Sequence, residues 1–383
     1  MSARPLRLCI VTPAHWQAAT GGAQYQIECL LGALIPLQRY DISYVARRVP
    51  EGLQPAGYRT VRIGRDSNVP RFGYLGDAFP LYRVLREIQP DVIYQRVACA
   101  YTGIAAHYAR RQGARLIWHV AHDNDVMRDS KLEGNNFVRR MLERRSIEYG
   151  IRHADHIVVQ SWDQARLLER NYGRTPVGVI PNFHPPATES LDKTGPLTVM
   201  WVANLKPWKQ PEVFIRLAER LRDLPKARFV IVGAPPGAYL QGWYDSLRRS
   251  GAAAGNVEFL GELPQAQVNA LLARAHVFVN TSLHEGFPNT FIQAWMRDTA
   301  VVSLHVDPDD VLDREGVGIH AVSEDGLAQA VRTLLTDAPQ RAALVTRARH
   351  HVLEHHSMRN ALSLAQLIDT GEIRVHADAA VNQ

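Results

Sequence analysis

The chain has 383 residues, more than a single hydrophobic core usually serves, so two domains are expected, each able to bury its own core. Hydrophobic residues make up 46% and charged residues 21%, a balance ordinary for a soluble globular protein and unlike a disordered one. The net charge of +6 is unevenly spread: residues 1–182 hold 25 Lys and Arg against 16 Asp and Glu, the remainder 19 against 22.

Taken from the N-terminus, MSARPLRLCIVTP lacks the apolar stretch and cleavage site of a secretory signal, and runs such as LCIV and FVIVGA are too short to cross a bilayer. A cytoplasmic protein is expected. LRLCIVT (6–12), DISYVA (41–46), DVIYQR (91–96), RLIWHV (115–120) and DHIVVQ (155–160) predict strands, several apolar enough to be buried on both faces. Helical spacing at 23–36, 80–88, 100–112 and 136–152 separates them. This alternation predicts a parallel, doubly wound sheet. After the Pro-, Ser- and Thr-rich stretch GVIPNFHPPATESLDKTGP (178–196), the pattern restarts with LTVMWVA (197–203), RFVIVGA (228–234), NVEFLG (256–261), HVFVNTS (276–282) and AVVSL (300–304). The expected fold class is therefore α/β: Rossmann-like domains over 1–185 and 196–337 facing each other across a cleft, with helical 338–383 crossing back to the first. Cys9, Cys29 and Cys99 lack CxxC spacing and are expected as buried thiols in a reducing compartment.

In doubly wound sheets, ligands bind beyond the carboxyl ends of the strands, so the loops following strands hold the candidate residues. Gly21 and Gly22 precede a helical stretch, where the backbone can approach an anion; a flexible turn explains the pair equally. No G-x-G-x-x-G follows a strand, which argues against a dinucleotide dehydrogenase. His122, Asp123 and Asp125 follow RLIWHV, placed either to bond sugar hydroxyls or, for the aspartates, to cap a helix. In VANLKPWKQPE (202–212), Lys206 and Lys209 lie beside a helix start near Pro211, where cations oppose the helix dipole unless an anion intervenes; otherwise they are solvated loop lysines. In LHEGFPNTFIQAW (283–295), Glu285 lies in a loop and Gln293 in the helix about a turn further on.

At EGFPNTFIQA the chain resembles the family-4 retaining glycosyltransferases of the GT-B fold, whose signature has two Glu residues separated by seven others. The likeness extends through TGGAQ (20–24), ADHIVVQSWDQARLL (154–168), VIPN (179–182), VANLKPWKQPE and FLGELPQAQVNALLARAHVFVNTS (259–282), in matching order. It implies transfer of a sugar from a nucleotide-diphosphate sugar, UDP- or GDP-linked, to a glycan, lipid-linked or small-molecule hydroxyl. It also implies retention, no metal, no further cofactor, and the leaving diphosphate as proton acceptor. Glu285 would position the donor sugar and His122 would contact it from the other domain. Lys209 and Lys206 would face the diphosphate with the amides of Gly21, Gly22 and the turn Gly286, Phe287, Pro288, Asn289 and Thr290. Val232, Gly233 and Leu260 would lie near the base. Two positions depart from the family pattern: Gln293 stands where a Glu bonding the ribose is usual, and Asn204 where an Arg is usual. An amide still accepts and donates hydrogen bonds, so ribose binding is compatible with Gln293. The departures also suit a catalytically weak nucleotide-sugar or glycan-binding homologue, and a nucleotide-sugar epimerase shares the architecture.

The basic half of the chain suits an anionic partner or an ordinary solvated surface; no nucleic-acid partner is expected. FVRRMLERRSIEYGIRH (137–153) offers Phe137, Met141, Ile147 and Ile151 beside Arg139, Arg140, Arg144 and Arg145. It reads either as a peripheral contact with an anionic membrane or as a helix packed in the fold with a solvated charged face.

Overall fold

The computed structural model describes residues 4–19, 21–64, 73–128 and 137–373. Thr20 of TGGAQ, residue 136 at the head of the expected helix 136–152, and 374–383 of the C-terminal segment lie outside the described residues. The chain divides into two compact units, one running to Phe183 and resuming at Met358, the other spanning His184–Ser357.

The first unit is a seven-stranded sheet of β1 (Leu6–Ala14), β2 (Tyr40–Arg48), β3 (Arg59–Arg62), β4 (Val92–Arg96), β5 (Arg115–His119), β6 (His156–Val159) and β7 (Gly178–Val179). Its order is β3-β2-β1-β4-β5-β6-β7 and the pairs are parallel. Successive side chains point to opposite faces, and both faces are covered. Cys9 and Val11 of β1 pack with Leu81, Leu85, Tyr101 and Ile151, while Leu8 and Ile10 pack on the other side with Ile27, Leu30, Leu364 and Ile368. All three cysteines are buried, and burial pushes their thiol pKa values up.

The second unit repeats the plan with β8 (Leu197–Val202), β9 (Ala227–Val232), β10 (Val257–Phe259), β11 (Val277–Asn280), β12 (Ala300–Ser303) and β13 (Gly318–His320), ordered β10-β9-β8-β11-β12-β13. Val199 and Trp201 face one core, Met200 the other. Strands β3, β7 and β13 are not evident from sequence, being two to four residues long at or near sheet edges.

Segment 338–383, expected as one piece crossing back, divides instead. Helix Ala338–His355 stays with the second unit, where Leu344, Ala348 and Val352 join its cores. Only helix Arg359–Thr370 joins the first, through Ala361, Leu364, Leu367 and Ile368. The break at His356–Met358 lets consecutive helices bury their apolar faces in different cores.

Helices Ala100–Gln112 and Phe137–His153 meet with backbones in contact. A Cβ on Gly150 would lie 2.6 Å from the Thr102 carbonyl carbon, and one on Gly103 2.2 Å from the Ser146 carbonyl oxygen. Rigid backbone cannot yield as a side chain does, so these two glycines set the helix spacing. Gly150→Ala should lower stability by about 1–3 kcal/mol, read as a lower urea midpoint at unchanged slope.

Candidate functional site

In the second sheet β8 is the first strand laid down, and the chain turns to β9 on one side and returns to β11 on the other. The loops leaving the carboxyl ends of β8 and β11 therefore emerge side by side, at the kind of switch point where open α/β sheets bind ligands. A third loop joins them after β9. Gly233 has φ of 142°, and a Cβ there would meet the Ala203 carbonyl oxygen at 1.9 Å, so only glycine permits this approach. Leu205 N–H then donates to the Ala234 carbonyl at 3.0 Å.

The β8 and β11 loops are stitched together at several points. Thr281 Oγ1 accepts the Trp201 indole N–H at 2.9 Å and lies 2.6 Å and 2.9 Å from the carbonyls of Lys209 and Gln210, to which it donates. Leu283 N–H donates to the Trp208 carbonyl at 2.9 Å. Gln210 adopts a left-handed conformation (φ 50°, ψ 53°) and turns the short helical segment Pro207–Lys209 into helix Pro211–Arg220. This framework brings Lys209 Nζ onto the Glu285 carboxylate, which also accepts from Ser282 Oγ at 2.8 Å. The ion pair is only partly solvated, with side-chain exposures of 16% and 14%. The expected conflict between Lys209 and the helix dipole is thus relieved within the protein. Lys206 places its ammonium 4.7 Å from the Trp208 ring centroid, and Trp208 stacks with His284 at 6.3 Å and 12°. Asn204 lies half-buried in the same loop.

Downstream, Gly286, Phe287 and Pro288 are buried. Pro288 is the residue before the helix Asn289–Trp295. Phe287 packs inward on His356 (4.4 Å between centroids) and Trp295, so its ring belongs to the core and only its backbone is suited to a ligand. The same holds for Val232, whose side chain lies in that core; Leu260 packs against it from the edge and donates its N–H to the Ile231 carbonyl at 3.0 Å. Asn289 is engaged by His184, whose Nε2 lies 3.0 Å from Asn289 Oδ1; Thr290 follows, half-buried. His184 was not singled out from sequence, because nothing local marks a histidine on the PNFHPP segment as buried. Gln293 is 4% exposed, and among the described residues no group hydrogen-bonds its side-chain amide. Arg297 donates to the Gln293 carbonyl at 3.2 Å and pairs with Glu189.

In the first unit, Gly21 precedes helix Gly22–Leu34, which no side chain caps. Its φ of 174° is ordinary extended backbone, so conformation alone does not demand glycine there. Past β5, the aspartates are committed to the protein. Asp125 accepts the N–H groups of Ala121 (2.8 Å) and His122 (3.1 Å), with burial raising its pKa against the pull of these amides, and Asp123 accepts from Gln164 Nε2 at 3.0 Å. His122 Nδ1 accepts the Asn124 N–H at 3.1 Å, which in the neutral ring makes Nε2 the protonated, donating nitrogen.

Asp307, Asp313 and His320 bring one potential ligand atom each within 4.8 Å of one another. Asp307 already accepts the Leu312 N–H at 2.8 Å. Among the described residues, no helix is long and apolar enough to cross a membrane.

The family described as Glycosyl transferases group 1 matches residues 196–337, and Glycosyltransferase Family 4 matches 20–187. A D-inositol 3-phosphate glycosyltransferase of Corynebacterium aurimucosum is 26% identical over 236 residues, 56% of this chain and 55% of that protein. The gpi3 subunit of a Schizosaccharomyces pombe phosphatidylinositol N-acetylglucosaminyltransferase is 29% identical over 170 residues, 42% and 36% of the two chains. The chain thus aligns with about half or less of the length of these relatives. Among solved structures, Anabaena HepE in complex with UDP and glucose superposes with a TM-score of 0.76 at 16% identity, over 96% of this chain and 100% of that one. Sucrose-phosphate synthase of Thermosynechococcus elongatus superposes at 0.75 and 17%, over 96% and 98%. Both likenesses concern the fold.

Burial of His184 lowers its pKa from 6.5 to about 3, so the folded protein holds it neutral while the unfolded chain protonates it below about 6.5. Its contribution to stability is complete above pH 6.5 and declines as pH falls toward 3, by about 1.4 kcal/mol per pH unit. His184→Gln, which can still donate to Asn289, should flatten that part of the slope when denaturant stability is measured between pH 7 and about 4.

Proposed function

The chain belongs to the group 1 glycosyl transferases of family 4, and from that premise we propose a retaining transfer of a sugar from a nucleotide-diphosphate donor to an acceptor hydroxyl. The bond between the sugar's anomeric carbon and the departing phosphate oxygen breaks while the acceptor oxygen bonds that carbon from the same face. The acceptor's proton passes to the leaving diphosphate. In this reading neither a protein nucleophile nor a metal takes part, and the protein's main task is to stabilise charge growing on the leaving group.

The observation that carries the reading is the meeting of Lys209 and Glu285 at the β8/β11 switch point. Without donor, each neutralises the other. On binding, the diphosphate replaces Glu285 as partner of the ammonium, and the released carboxylate accepts hydroxyl protons of the donor sugar. Gln293 offers its amide to the ribose. Lys206, drawn toward Trp208, supplies a weaker second charge in place of the arginine absent at Asn204. The 286–290 turn contributes backbone amides, while the backbone around Val232, Gly233 and Leu260 borders the base. HepE, solved with UDP and glucose, makes UDP the first nucleotide to test. The relatives named for inositol phosphate and phosphatidylinositol make a phosphorylated polyol, free or lipid-borne, the first acceptor class.

Lys209→Ala should lower kcat by about 10²–10³, by analogy with loss of one oxyanion donor, and shrink the thermal stabilisation given by UDP. Undiminished turnover would remove the mechanism. Comparing UDP, GDP and ADP by thermal shift should single out one base. Gln293→Glu tests whether the amide suits this site: donor turnover is expected to stay within about tenfold of wild type.

A further inference from the structure

Helix Phe137–His153 carries its polarity reversed at its start. Its inward side buries Glu143, Ile147, Gly150 and Ile151, with Arg139 3.9 Å from the Glu143 carboxylate. Its outward side shows Phe137 (70% exposed), Val138 (56%), Met141 (36%) and Leu142 (39%). At 100° per residue these four fall on one arc, and Arg145 and Arg152 continue that arc toward the C-terminus with Arg144 at its margin; half-buried Glu148 lies on the same arc, leaving the continuation net positive. The sequence alone pairs Phe137 and Met141 with Ile147 and Ile151. The structure separates them, because the Gly103–Gly150 contact turns the latter two inward. A solvent-facing helix has no structural need for four neighbouring large apolar groups, and a contiguous patch of this kind marks a docking surface.

We propose that this face docks on an anionic phospholipid bilayer, the apolar first turns entering the interface and Arg144, Arg145 and Arg152 meeting the headgroups. Two features of the helix favour that occupant. The apolar groups are confined to one end and the arginines follow within two turns, the layout of a segment with apolar residues in the acyl boundary and cations at headgroup level. The half of the chain that carries the helix is also the basic one, by 25 cations to 16 anions over residues 1–182. The inference deepens the transferase reading by bringing a lipid-borne acceptor to the enzyme, yet its test involves no catalysis.

The full chain is sedimented with vesicles of phosphatidylcholine alone and of phosphatidylglycerol alone. Pelleting is expected with the anionic vesicles only, weakening as salt is raised. Arg144→Gln with Arg145→Gln should weaken binding about 25-fold, from roughly fivefold per cation. Phe137→Ser with Leu142→Ser should weaken it at least about tenfold through the lost apolar contact. These residues are exposed at least in part, so thermal stabilisation by UDP serves as a control for folding and should not change. Equal pelleting with both lipids, or none with either, overturns the proposal. So does a wild-type dimer, seen by sedimentation without vesicles, that the Phe137→Ser, Leu142→Ser variant converts to monomer. Absence of transferase activity would leave a positive vesicle result standing, so the two readings fail separately.

Discussion

The ion pair between Lys209 and Glu285 depends on a single topological fact: β8 pairs with β11, not only with its sequence neighbour β9. Parallel strands end together, so their following loops share one edge of the sheet. Thr281 converts this neighbourhood into fixed geometry. Its hydroxyl takes the Trp201 indole proton and reaches the carbonyls of Lys209 and Gln210, which closes the β8 loop onto the β11 loop. Gly233 adds the third loop by letting backbone meet backbone. The backbone that carries the charged pair is therefore fixed by strand ends and short hydrogen-bonded turns, the kind of preorganisation that an electrostatic site requires.

The pair also explains how a lysine can wait beside a helix N-terminus without penalty. The adjoining carboxylate supplies the negative charge that a ligand would otherwise have to bring. Around it the polar inventory is economical. Asn289 is held by His184, the aspartates after β5 are held by backbone amides and Gln164, and Phe287 and Val232 serve the core. Within the second unit, Glu285 and the buried Gln293 amide lie on the β11 loop and the helix that follows it, beside the loop after β8, which carries Lys209. Both Asn204 and Gln293 are neutral, so Lys209 and Glu285 carry the charge that these two loops bring together.

Glycine spacing performs a different task in the first unit. Gly103 and Gly150 let two helices touch through their backbones, which determines the rotation of helix Phe137–His153 about its axis. That rotation, not composition, decides which side chains are buried. A helix that looks amphipathic in the ordinary sense thus presents apolar groups outward, and a packing constraint in the core becomes a property of the surface.

Much of this was legible from sequence. Short apolar runs alternating with helical spacing, a proline-rich break and a restart dictate two parallel α/β units, because strands buried on both faces need continuous apolar runs and their crossovers need helices. The order of motifs located the segments after strands that carry Lys209, Glu285, Gln293 and His122. Periodicity could not show which short edge segments would pair, as with β3, β7 and β13, nor that residues 338–383 would be shared between two cores. It also could not reveal that Asn289 answers to His184, that Phe287 turns inward, or that Asp307, Asp313 and His320 converge. Local pattern determines which element forms and which side is apolar, since those depend on neighbours a few residues away. Partners separated by tens of residues, and the rotation of a helix against its neighbour, are decided only when the chain packs and backbone contacts choose among faces of similar polarity.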